Sequence, residues 1–130
     1  PEKVIKKLKN KVRTDGIIDG QTPVTDSFEK KLFKKYWSGF HSPRHTVIFS
    51  RDGLKNLSLR VGMKKIIIKS AFNPASYAVS FYAFFFRNKK ITRKGPLWLI
   101  FIILGSFFSI LDVVLLSSGV INFRIYKRAK

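Results

Sequence analysis

A chain of 130 residues with 26 Lys and Arg against 7 Asp and Glu, a formal charge of +19, is the size of one domain and electrostatically one-sided. It has no cysteine, which excludes disulfides, thiolate metal sites and a cysteine nucleophile. A surface this basic seeks polyanions, and from Gly53 onward Asp112 is the only acid.

Residues 1–13 place Val4, Ile5, Leu8 and Val12 on one helical face with lysines around the rest. This is a short basic amphipathic helix suited to an anionic membrane surface. The first fifteen residues contain no apolar run, so no secretory signal pattern is found there. Residues 14–25, with Gly16, Gly20 and Pro23, read as a loop.

Residues 26–40 are the best candidate for a helix in water. Asp26 is the expected N-cap, with Glu29 three residues on in a capping box. Phe28, Leu32, Phe33, Tyr36 and Trp37 make an aromatic stripe, while Lys30, Lys31, Lys34 and Lys35 face away or flank it. The stripe suits docking to a partner groove or a membrane interface. Over 41–62, the β-prone Thr46–Phe49, the Asp52-Gly53 turn signal and the partly alternating Leu54, Leu57, Leu59 and Val61 point to a small hairpin. His41 and His45 flank Pro43 without an evident third ligand, so no metal site is expected.

The expected architecture is a mainly α membrane protein. Residues 1–65 form a basic extramembrane region, and 66–90 a short apolar helix, interfacial or spanning. A transmembrane helix over 96–123 and a basic tail over 124–130 follow. A helix from Pro74 to Phe86 is about 20 Å long, short of the roughly 30 Å of a hydrocarbon core. Residues 96–121 hold one formal charge in 26 positions. Pro96 fits a first helical turn and Trp98 an interfacial anchor. Arg87, Lys89, Lys90, Arg93 and Lys94 on one flank, with Arg124, Lys127 and Arg128 on the other, make both ends of this helix basic. Together with Trp98 they are the expected contacts for anionic lipid, and cardiolipin suits such collars. Because both flanks are basic, charge alone does not orient the helix.

Asp112 lies within the apolar run, where an ionised carboxylate facing lipid is costly. Nothing basic stands in its own span. Gly105, Ser109 and Asp112 share one face at i, i+4 and i+7, and small residues let backbones approach closely. The expectation is a contact between this face and a helix of another subunit.

No P-loop, GxGxxG, HExxH or Ser/His/Asp constellation in motif context is present, so neither an enzyme nor a cofactor is expected. The leading expectation is a non-catalytic accessory subunit of a large membrane complex. The mitochondrial respiratory chain or ATP synthase is the first choice, with other membrane subunits and anionic lipid as partners. The alternatives are a membrane-tethered basic module for RNA or a ribosome, with nucleic acid the less favoured partner, and a channel or transporter subunit using Asp112.

Overall fold

Local sequence signals account for where each helix starts. The computed structural model describes residues 2–40, 47–87 and 93–128; His41, His45, Lys89 and Lys90 lie outside them. Helix α1 (Glu2–Lys11) has an acid in its first turn and Lys9 and Lys11 in its last, matching its macrodipole. Helix α2 (Phe28–Phe33) is capped by Ser27, whose hydroxyl accepts the Lys30 amide at 3.1 Å. Asp26 is therefore not the cap. It accepts the Arg51 amide and pairs with the Arg51 guanidinium at 3.0 Å. The expected helix over 26–40 stops early and continues as two 3-10 turns, Lys34–Tyr36 and Ser38–Phe40.

No hairpin forms after the Ser50 cap. Helix α3 (Arg51–Arg60) takes that place, with the Gly53 amide donating to the Ser50 hydroxyl. Leu54, Leu57 and Val61 are buried at i, i+3 and i+7, whereas Leu59 is exposed. The leucine pattern is thus a helical period, and the apparent alternation came from including Leu59. Helices α4 (Pro74–Phe86) and α5 (Pro96–Val114) both carry proline in the first turn, and Asn73 caps α4 through the Ser76 amide.

Three strands complete the fold: β1 (Ile17–Pro23), β2 (Lys65–Ser70) and β3 (Val120–Tyr126). They form an antiparallel sheet in the order β1-β3-β2. Ile18 and Ile66 flank Ile125, and Gly20 and Ile68 flank Phe123. This face packs on α3: Leu57, Val61 and Met63 meet Ile125, and Leu54 with Val24 meets Ile121. Ile5 of α1 adds to the first group. A Cβ at Gly20 would lie 2.6 Å from the Phe123 ring, so glycine lets that ring cover the β1 backbone. The opposite face, carrying Asp19, Gln21, Lys65, Lys69, Asn122 and Arg124, is exposed.

The chain is mostly helical, but the sheet corrects several sequence expectations at once. Residues 17–23 are a strand rather than loop, and 65–70 are a strand rather than the start of the short apolar helix. Arg124 belongs to β3 rather than to a tail, and pairs with Asp19 at 2.8 Å. The long helix ends at Val114 rather than near 123. Its end is a Schellman turn: Leu116 adopts φ +53°, its amide reaches the Val113 carbonyl, and the Ser117 amide donates to the Asp112 carbonyl at 2.9 Å.

Candidate membrane-contact helix hairpin

Helices α4 and α5 form an antiparallel hairpin set between the neighbouring strands β2 and β3. The buried stripe of α5 is Phe101, Gly105, Ser109 and Asp112, one helical face. Gly105 sits directly on the start of α4. A Cβ there would be 2.5 Å from the Pro74 carbonyl oxygen and 3.1 Å from the Tyr77 Cβ. One turn on, the Ser109 hydroxyl accepts the Asn73 amide at 2.7 Å. Toward the connector, Phe101 stacks on Phe81 and Phe85 with centroids 6.1 Å apart. Gly105, Ser109 and Asp112 do make a helix contact, and their neighbour is α4 of the same chain.

Asp112 finds its partners there too. The Tyr77 hydroxyl donates to one carboxylate oxygen at 2.6 Å and the Ser117 hydroxyl to the other at 2.6 Å. This corrects the expectation of a partner outside the chain: two hydroxyls, one on α4 and one in the turn after α5, stand where a base was expected. Asp112 has no ion-pair partner among the described residues, so two short hydrogen bonds carry its stabilisation.

A second buried carboxylate, not foreseen from the sequence, lies close by. Glu29 of α2 is 1% exposed. It accepts hydrogen bonds from Ser76 at 2.8 Å, Ser80 at 2.8 Å and, more loosely, Ser38 at 3.4 Å. Burial pushes its carboxyl pKa up, and the nearby Asp112 charge adds to this; the Ser76 and Ser80 bonds and the Trp37 indole oppose it. The Trp37 N–H itself is buried without a hydrogen-bond partner of ordinary geometry among the described residues. The readable signal was the pair Ser76 and Ser80, one turn apart on an otherwise apolar helix.

The aromatic stripe of α2 and its following turn is used internally. Phe33 packs edge-on to Phe81 at 4.9 Å, and Phe33, Trp37 and Tyr77 share one buried cluster. Tyr36 is half-buried against Phe84 at 5.8 Å. Of the five residues expected to dock a partner, only Phe28 and Leu32 remain exposed. Helix α4 supplies the cover that a partner was expected to give.

The outer arc of α5 has no such cover. Ile100, Ile103, Phe107, Ile110, Val114 and Leu115 are between 52% and 72% exposed and follow one another along the helix. Such a continuous apolar surface is far larger than isolated surface leucines explain. Pro96–Val114 is the one helix among the described residues long and apolar enough to cross a membrane. Arg87, Arg93 and Lys94 are exposed on its connector side, with Trp98 half-buried. Beyond β3, Arg128 is exposed and the Lys127 ammonium donates to the Val12 carbonyl at 2.8 Å. Of the expected lipid contacts, Arg124 and Lys127 thus have partners within the chain. Comparison with family models, curated proteins and solved structures finds no match for this chain.

Proposed function

We propose that the chain is a non-catalytic accessory subunit of a membrane complex, held in hydrocarbon by its α4–α5 hairpin. The observation that carries this reading is the outer arc of α5, apolar over its whole length and uncovered by the rest of the chain. Lipid chains or apolar helices of neighbouring subunits are the surfaces that satisfy it. Asp112 and Glu29 then act as braces that join α4, α2 and the end of α5. Basic residues on the connector and near β3 meet anionic headgroups. The assemblies to examine first are those of the mitochondrial inner membrane, the respiratory chain and ATP synthase, where cardiolipin is the anionic lipid.

The sheet adds a topological constraint. Strands β2 and β3 pair along their length, so the chain enters and leaves the hairpin on one side of the bilayer. On this proposal the hairpin goes in and returns, and α5 is not a lone crossing. With no native cysteine, single-cysteine labelling is clean. Asn56→Cys on α3 and Arg128→Cys after β3 should react with an impermeant maleimide from the same side of sealed vesicles. Labelling from opposite sides would rule out the paired sheet in the membrane.

Extraction tests the assignment itself. The protein should stay with membranes through an alkaline carbonate wash. In mild detergent it should migrate on a native gel within a discrete larger assembly, identified by mass spectrometry. A free monomer would remove the accessory-subunit reading, and recovery in the aqueous wash would remove the membrane reading.

A further inference from the structure

A groove of about 330 Å³ lies between the edge strand β1 and the first half of α4, where Ala75, Ser76 and Val79 line it. Arg93 and Trp98 line it together with Gln21, Ser38, Asn73 and Ser76, and no acidic side chain does. The hydrogen-bonding groups have distinct states. The Arg93 guanidinium has no hydrogen-bond or ion-pair partner among the described residues. The Asn73 side-chain oxygen is taken by the Ser76 amide, which leaves its NH2 group uncommitted. Gln21 donates once, to Asn122 at 3.0 Å, and keeps a second N–H. Ser76 gives its hydroxyl to Glu29, the carboxylate behind this wall, and shares a 2.7 Å hydrogen bond with the Ser38 hydroxyl, which leaves a lone pair on each serine oxygen for the groove.

The groove therefore has a single mobile-charge recogniser, Arg93, and a run of neutral donors and acceptors. Anions bearing several hydroxyls match that pattern: the anion pairs with guanidinium, and hydroxyls can both donate to serine oxygens and accept from amide N–H groups. The apolar arc of α5 begins beside it at Leu97 and Leu99, next to the half-buried Trp98. We propose that this groove seats the headgroup of an anionic phospholipid with a polyol on its phosphate, Arg93 holding the phosphate and Asn73 and Gln21 the hydroxyls. The lipid source rests on the membrane reading above, because the acyl chains would lie along α5; a free polyol phosphate shares the headgroup chemistry alone.

The full chain in mild detergent, titrated with phosphatidylglycerol and followed by native mass spectrometry, should take up one lipid saturably. Arg93→Gln should weaken this about tenfold, the loss of one charge-assisted contact. Arg93 is exposed and has no hydrogen-bond or ion-pair partner among the described residues, so the variant should keep the wild-type circular dichroism spectrum. Lys94→Gln, next in sequence but outside the groove lining, should change binding by less than about twofold. Equal losses in the two variants, or none in Arg93→Gln, would overturn the site in favour of diffuse charge. Phosphatidylcholine binding as tightly as phosphatidylglycerol would overturn the polyol assignment. Glycerol phosphate competing at the affinity of the lipid, with the same dependence on Arg93, would overturn the lipid as occupant. That result in a protein recovered from the aqueous wash would refute the membrane reading while leaving a phosphate site in place.

Discussion

Gly105→Leu should separate α4 from α5 and cost on the order of 3–5 kcal/mol of stability, the range of a severely overpacked core. The space a side chain needs at this position is filled by backbone: the Pro74 carbonyl oxygen and the Ala78 nitrogen flank the missing Cβ at 2.5 and 3.3 Å. A flexible neighbour could swing aside, but a helix terminus moves only as a unit. Moving it breaks the Ser109–Asn73 and Tyr77–Asp112 hydrogen bonds in the same step. Gly105→Ala gains about 1 kcal/mol of helix propensity and meets the same carbonyl, so it should be milder but still destabilising. Thermal unfolding in detergent, read by near-ultraviolet circular dichroism, measures both. A leucine variant as stable as the parent would mean that α4 and α5 do not pack at Gly105.

Glu29 should separate charge from shape. Glu29→Ala leaves Ser76 and Ser80 without their acceptor and opens a cavity, a loss of about 3 kcal/mol. Glu29→Gln keeps the volume and an acceptor while removing the charge. The folded carboxyl pKa is raised above 4.5 chiefly by burial. Between 4.5 and that raised value the native state holds more protons than the unfolded chain, so stability falls as pH rises through this window. Above the window the cost of burying the charge is complete; below 4.5 it is absent. Glu29→Gln should therefore be more stable than the parent at pH 8, close to it at pH 4, and flatter in between. A glutamine variant with the parent's slope would show that Glu29 is not the group responsible.

The two results bear on what a linear sequence can disclose. Helix α5 was legible because its apolar run needs no knowledge of neighbours. Its end was not, since Leu115 and Leu116 are as apolar as what precedes them; the stop is a backbone turn with a leucine at positive φ. The α1 and α4 segments were readable from lysine placement and from Asn73-Pro74. Strand β1 was hidden because Gly20 and Pro23 look like loop punctuation, and its hydrogen bonds come from Val120–Tyr126, at the far end of the chain. Helix α3 was misread through Leu59, an exposed leucine that mimicked alternation.

The hairpin contact was half legible. Gly105, Ser109 and Asp112 were recognisable as a packing face from their spacing, while the identity of the opposite surface depends on the fold. Tyr77 and Ser117 are ordinary residues in sequence and become partners of Asp112 only when the hairpin closes. Glu29 was hidden for a different reason. Among Lys30 and Lys31 it resembles a solvent-facing helical acid, and only the approach of Ser76 and Ser80 converts it into a buried one.

Strand β3 follows every other element in chain order yet lies between the other two strands. During synthesis β1 and β2 emerge without the segment that joins them, and they cannot bond to each other in the native arrangement. Helix α5 is made before β3, so its apolar arc stands complete while the sheet is still open. Closure of the sheet then comes last and locks α4 and α5 to α3 and the strands. Loss of β3 would therefore leave the α4–α5 hairpin attached to a domain with no centre.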